Sequence, residues 1–316
     1  MAVIEIEHVT KDYGHDRGIF DISYGVENGE VFGFLGPNGA GKTTTIRHIM
    51  GFSKPQEGKI TVDGKDSWTQ AAAIKRSVGY LPGELAFPAG MTGQQFIDFM
   101  AKERRVTDMT KTNYLLERFE LDPSPKIKQM SLGTKRKLAV VTAFMHDPEI
   151  LILDEPTSGL DPLMQERFIE FVLAEKHAGK TILLSSHIFS EVDATCDRIA
   201  IIKNGRIVST IVADDLRQNK NKSFKVEFAD HQTYERFVAQ TKLDVFVKRP
   251  DQDQVKLRIQ DENIHDFFAE LSQYQLNFIS EIKFTLEDYF MDFYDRKLSV
   301  EAGEEELAHG IIHWDQ

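Results

Sequence analysis

The segment Gly36-Pro37-Asn38-Gly39-Ala40-Gly41-Lys42-Thr43 constrains this chain more than any other. It follows an apolar run at residues 31–35 that reads as a buried strand, and it opens a helical pattern at residues 44–50. A strand, a glycine-rich loop of the form GxxxxGK[ST] and a helix, in that order, make a cradle for an anion. Glycines let backbone N–H groups wrap a chain of phosphates, and the helix N-terminus adds its dipole. Lys42 can reach the outer phosphates. Thr43 offers a hydroxyl to Mg²⁺, a hard cation that prefers oxygen ligands, and Thr44 continues the phosphate-binding turn. The implied ligand is a nucleoside triphosphate. A dinucleotide fold would need GxGxxG in this place, which is absent, and would have no use for the Lys-Thr pair.

A second feature is chemical. Residues 150–153 form an apolar strand that ends in two carboxylates, Asp154 and Glu155. Acids at the end of a buried strand are costly unless something there needs them. Successive side chains on a strand point opposite ways, so two roles are open: Asp154 holding Mg²⁺ through water opposite Thr43, and Glu155 polarising the water that attacks the γ-phosphoryl group. The simpler alternative is an acidic cap on the following helix.

Around these motifs the chain reads as alternating elements. Strands are expected at residues 4–9, 20–26, 31–35, 59–62 and 78–81, then a helical insert, most clearly at 92–130 and broken by Pro123 and Pro125. A helix at 132–145, a strand at 150–153, a helix at 163–177 and strands at 181–185, 199–202 and 206–211 follow, the alternation of an α/β domain. Beyond residue 213 the pattern changes across a charged stretch at 214–222, expected to be a linker. Strand 224–228, helix 233–241, strands 245–248 and 255–259, helix 264–274 and strand 278–282 give the order βαββαβ of a ferredoxin-like unit. A helix at 286–294 carries Tyr289, Phe290, Phe293 and Tyr294, either packed on that unit or presented as a docking face. The tail from 299 holds Glu301, Glu304, Glu305, Glu306 and Asp315 with no Lys or Arg and is expected to be solvated; His309 and His313 there are a weak pair for a metal.

Taken together, Tyr13, the loop Gly36 to Thr43, MSLGTKRKL at 130–138, LILDEPTSGLD at 151–161 and SSH at 185–187 resemble the nucleotide-binding subunit of an ABC transporter. The five elements stand in the family's order and cover about two thirds of the chain. A single cassette with a C-terminal extension is most similar to the ATPase subunits of bacterial ABC-2 type exporters. The resemblance implies a P-loop NTPase fold with a mixed sheet over residues 1–213, a helical insert at about 85–145, and an accessory ferredoxin-like domain at 223–298. It also implies ATP and Mg²⁺ as ligand and cofactor, and ATP hydrolysis coupled to transport. By the same resemblance Tyr13 stacks on adenine, although it can also be a turn tyrosine beside Gly14. His187 contacts the γ-phosphate, although a lone histidine is more often structural. Ser158, Gly159, Leu160 and Asp161 join the two sites of a dimer, and Ser131, Leu132, Gly133 and Thr134 complete the site of the opposite subunit, so a monomer holds half of each site.

The sequence departs from that family in two places. Leu132 and Thr134 stand where a second glycine and a glutamine are usual, while Ser131 and Gly133 retain the phosphate-facing elements. A glutamine expected after the strand at 78–81 is replaced by Gly83, which has no side chain to offer. Glu84, or water, is the expected substitute at the metal.

Composition bounds the partners. Hydrophobic residues make up 41% and mean hydropathy is -0.33. No apolar stretch approaches the ~18 residues of a membrane span. The first residues lack the layout of a signal peptide, and one cysteine, Cys196, cannot form an internal disulfide, which leads to the expectation of a cytoplasmic protein. Net charge is -12, so neither nucleic acid nor an anionic lipid surface is an electrostatically favoured partner. Membrane attachment at the inner face is therefore expected through separate permease subunits, with the cassettes paired as a homodimer or with another cassette. The rival reading is an ABC ATPase that acts on ribosomes or DNA rather than in transport; such chains usually carry two cassettes or a long coiled coil.

Overall fold

The computed structural model describes residues 2–217, 221–282, 285–287 and 289–291. They fall into two compact units, Met1–Ala213 and Asp214–Gln316. In the first unit the elements run β1 (Ala2–Asp12), β2 (Gly18–Glu27), β3 (Val31–Leu35), α1 (Lys42–Ile49), β4 (Glu57–Val62), β5 (Lys65–Asp66), α2 (Ala71–Ser77) and β6 (Val78–Leu81). The helices α3 (Gly93–Arg104), α4 (Thr110–Arg118) and α5 (Leu132–Phe144) follow. Then come β7 (Ile150–Asp154), α6 (Pro162–His177), β8 (Thr181–Ser186), α7 (Phe189–Thr195), β9 (Arg198–Lys203) and β10 (Arg206–Val212); α8 (Ala213–Arg217) starts at the last residue of this unit.

Two sheets organise this unit. The larger has the order β10-β9-β3-β8-β7-β6, parallel except for β10, which pairs antiparallel with β9. Every residue of β3, β7 and β8 is buried, as expected of parallel strands covered on both faces. The runs at 4–9 and 20–26 do not extend that sheet. They belong to β1 and β2 of a separate antiparallel sheet, β2-β1-β4-β5. One hydrophobic core draws on both sheets and α1: Ile4, Ile22, Phe32, Phe34, Ile46, Ile49, Ile60, Ile152 and Leu183 are all buried in it. Tyr24 stacks on Phe32 within this core, with ring centroids 4.9 Å apart.

The helical insert starts at a capping box, in which Thr92 and Gln95 satisfy each other's backbone N–H groups. Its inner end is fixed by aromatic packing: Phe119 meets Phe171 at 5.5 Å, and Phe144 meets Phe171 at 4.8 Å. Helices α2 and α7 have no counterpart in the sequence reading. Each has seven residues, too few for hydrophobic periodicity to show.

The second unit contains β11 (Asn221–Phe228), α9 (His231–Gln240), β12 (Asp244–Arg249), β13 (Gln254–Gln260), α10 (Ile264–Leu271) and β14 (Leu276–Ile282). The sheet order β12-β13-β11-β14, antiparallel throughout, is the ferredoxin-like arrangement. Alternation in β11 explains its core: Phe224, Val226 and Phe228 are buried with Phe237, Leu257 and Phe267, while Ser223, Lys225 and Glu227 face away. The stretch 214–222 read as a linker holds most of α8 and the start of β11. Leu286 and Phe290, four residues apart, are buried, which favours packing over a docking face for that pair. Phe293, Tyr294 and the tail with His309 and His313 lie outside the described residues.

Candidate active site

Strand register gathers the motifs. Leu35 of β3 pairs with Ser186 of β8, Asp154 of β7 pairs with Ser185 of β8, and Leu81 of β6 pairs with Leu153 of β7. The loops leaving the carboxyl ends of four adjacent parallel strands therefore open side by side, the usual place for a ligand in such a sheet. They carry Gly36 to Thr43, His187, Asp154 with Glu155, and Gly83.

The phosphate loop needs its glycines. Gly39 and Gly41 have φ of 81° and 114°, and a Cβ on Gly41 would lie 2.9 Å from the Ile19 side chain. Gly41 caps α1, so the first backbone N–H groups of that helix face the loop. The Lys42 ammonium, 5% exposed, donates to Gly36 O at 2.6 Å and Pro37 O at 3.2 Å, and pairs with Glu155 Oε1 at 3.0 Å. Thr43 is exposed at the start of the helix.

Asp154 is the last residue of β7, and Glu155 follows it outside the strand. Asp154 is wholly buried and its Oδ1 accepts from Ser185 Oγ at 2.5 Å, whereas its Oδ2 is buried with no hydrogen-bond partner. An unpartnered buried carboxylate oxygen is costly, and a hard cation is what such an oxygen suits. Glu155 has φ 48°, a sparsely populated conformation for a non-glycine residue, held by its N–H bonding to Ser185 O at 3.0 Å. Its Oε2 meets His187 Nδ1 at 2.5 Å, so one carboxylate joins Lys42 to His187.

Gly83 lies against this acid: a Cβ there would be 3.0 Å from Asp154 Oδ2. The neighbouring Glu84 is exposed, and among the described residues no three His, Cys, Asp or Glu side chains gather into a metal site. The buried, unpartnered Asp154 Oδ2 is thus the oxygen of this site best suited to a cation, and Glu84 is exposed in the loop beside it.

Tyr13 is 56% exposed in the turn after β1, and Lys11 Nζ lies over its ring, 5.6 Å from the centre. Ser131 caps α5, accepting from Thr134 N at 3.1 Å, and Leu132 beside it is exposed. A Cβ on Gly133 would be 3.0 Å from Gly159 O, which places the start of α5 against the loop after Glu155. Leu160 is buried, Ser158 is half-buried, and Asp161 caps α6 through Met164 N at 3.0 Å.

The sequence reading passed over two groups beside this site. Glu191 on α7 is buried, accepts from Ser186 Oγ at 2.5 Å and leaves its Oε1 without a hydrogen-bond partner; Thr157 lies close enough to moderate its charge. Burial pushes its carboxyl up to about 7. Arg136 is the other. In sequence it sits in the run Lys135-Arg136-Lys137 and looks like a surface cation, yet it is 2% exposed.

Comparison with known proteins agrees with this geometry. The family model described as ABC transporter matches residues 19–158. The bacitracin transport ATP-binding protein of Bacillus licheniformis is 34% identical, over 72% of this chain and 76% of that protein. The Nod factor export ATP-binding protein I of Rhizobium etli is 33% identical, over 66% and 68%. A dimeric ATP-binding cassette in a post-hydrolysis state, bound to ADP and Pi, superposes with a TM-score of 0.60 over 66% of this chain and 98% of that one; at 21% identity the likeness is one of fold. With the phosphate loop, the paired acids and the histidine converging at the carboxyl ends of adjacent strands, the chain belongs to the ABC transporter family, as one of its ATP-binding, ATP-hydrolysing proteins.

Proposed function

We propose that this chain is the motor subunit of an exporter: two copies close head to tail over two ATP, hydrolysis reopens them, and the motion drives separate permease subunits. The observation that carries it is Glu155 at the end of β7, bonded to both Lys42 and His187. In this scheme an arriving γ-phosphate competes with Glu155 for the Lys42 ammonium. Released from that pair, the carboxylate can accept a proton from the attacking water. His187 then has the γ-phosphate as a second partner, while Tyr13 takes the adenine. Thr43 and Asp154 hold Mg²⁺, with water rather than Glu84 in the place of the family's glutamine. The ion supplies charge neutralisation at the outer phosphates.

Ser131, Gly133 and the N-terminus of α5 complete the site of the twin, and Ser158, Gly159, Leu160 and Asp161 meet their counterparts across the dimer. ATP must favour the closed dimer by about 5.5 kcal/mol to move the populations from 1:99 to 99:1, and ADP lacks the phosphate that makes the difference. Export is favoured by relatives named for bacitracin transport and Nod factor export. Among the described residues no helix is long and apolar enough to cross a membrane, so attachment at the inner membrane face falls to the permease. Phosphate release measured over a dilution series, with light scattering in parallel, tests the scheme. Activity per molecule should fall as the ATP-bound dimer dissociates; turnover independent of dilution by lone chains would refute it.

A further inference from the structure

Arg136 is a buried cation whose three hydrogen bonds, among the described residues, all end on backbone carbonyls. Its Nε donates to Ser158 O at 3.0 Å, Nη1 to Pro82 O at 2.8 Å and Nη2 to Gly83 O at 2.7 Å. A buried guanidinium is expensive, and burial lowers its proton affinity, opposed here by the nearby charges of Asp154 and Glu155. A neutral side chain of similar length could fill the space without that cost. A planar fork of five donors is needed only if several acceptors must be held in fixed relative positions.

The three carbonyls belong to the two loops that flank the acids. Gly83 O is on the residue whose Cβ position lies 3.0 Å from Asp154 Oδ2. Ser158 follows Glu155 in a turn closed by Ser158 N donating to Glu155 O at 3.1 Å. Gly83 has no side chain with which to anchor its loop, so its backbone is what the loop can present. Arg136 itself stands on α5, the helix that begins at Ser131.

We propose that Arg136 is a positioning residue that joins the Ser131 end of α5 to the Asp154 and Glu155 side of the same chain's site. The inference rests on the dimer described above, in which Ser131 faces the twin's triphosphate. Displacement of α5 when the twin's phosphate is bound or lost is carried by the guanidinium to residues 82–83 and 158. One site thereby senses the other.

The test uses the full chain with Arg136→Lys and Arg136→Gln, checked for unchanged folding by circular dichroism. Lysine can satisfy fewer of the three carbonyls and glutamine fewer still. Misplacing catalytic groups by an ångström costs up to about a hundredfold in rate. Arg136→Gln should therefore lower kcat about tenfold or more with KM for ATP changed less than about threefold, and Arg136→Lys should recover part of kcat. Cooperativity between the two ATP should weaken in both variants. In a Glu155→Gln background the Arg136→Gln chain should still bind ATP and dimerise. Lower melting temperature with unchanged kcat and cooperativity would make Arg136 merely structural and overturn the proposal. Dilution-independent turnover in the unsubstituted chain would instead overturn the dimer on which it rests. If Arg136→Gln does not fold, Arg136→Lys alone decides by the same split between kcat and KM.

Discussion

Lys42 Nζ and Glu155 Oε1 lie 3.0 Å apart, although one leaves the end of β3 and the other the end of β7. The lysine of the phosphate loop is thus paired with the acid that follows β7. In the proposed scheme, substrate binding and activation of that acid are linked by one exchange of partners. The same carboxylate reaches His187, so the loop after β8 is tied to the exchange as well.

Replacing Glu155 with glutamine keeps the size of the side chain and removes its charge. ATP binding should persist, turnover should fall about a hundredfold or more, and ATP should trap a dimer. Phosphate release and light scattering on one preparation measure both effects; undiminished turnover would remove Glu155 from the chemistry.

Ser185→Ala removes the donor to Asp154 Oδ1 and leaves both oxygens of a fully buried carboxylate without a protein partner. The expected cost is about 1–3 kcal/mol, read from denaturant midpoints without Mg²⁺. Added Mg²⁺ and ATP should recover part of it.

Tyr13→Ala should raise KM for ATP about tenfold with little change in kcat, because stacking on a base contributes about 1–3 kcal/mol. Tyr13→Trp should keep KM close to the original. An unchanged KM in the alanine variant would return Tyr13 to a turn residue.

Glu84→Ala should leave the Mg²⁺ dependence of hydrolysis unchanged, since its side chain is exposed whereas the unpartnered Asp154 Oδ2 is buried. A several-fold rise in the Mg²⁺ concentration for half-maximal rate would restore Glu84 as a ligand. Gly83→Ala should produce such a rise, because its Cβ would press on Asp154 Oδ2.

Glu191 gives a pH prediction with a definite sign. Its carboxyl is raised from 4.5 to about 7 by burial, so between those values the folded chain holds a proton that the unfolded chain has lost. Its contribution to stability is complete below about 4.5 and is lost as pH rises through 7. His146, lowered from 6.5 to about 4 by burial and Arg104, acts oppositely, its folded form gaining stability as pH rises through that range. The difference between the original chain and Glu191→Gln isolates the glutamate. Denaturation at pH 5 and pH 8 should show the variant gaining stability relative to the original at the higher pH, by no more than about 3 kcal/mol.

Local sequence determined the phosphate loop and the βαββαβ order, because each is written in contiguous residues whose spacing or hydrophobic alternation has one physical reading. The acids at 154–155 kept a helix cap as their alternative, and Tyr13 and His187 could be found only as part of the set. The tertiary fold decided the rest. It placed β8 between β3 and β7, which brings Ser185 to Asp154 and His187 to Glu155. It separated β1 and β2 into their own antiparallel sheet, a pairing that alternation cannot specify. It buried Arg136 from the middle of a run of three cations, and set Gly83 so close to Asp154 that a missing side chain became a close backbone approach. Hydrogen bonds between distant loops and the depth of a charge below the surface depend on strand order and packing, and neither is contained in the neighbours of a residue along the chain.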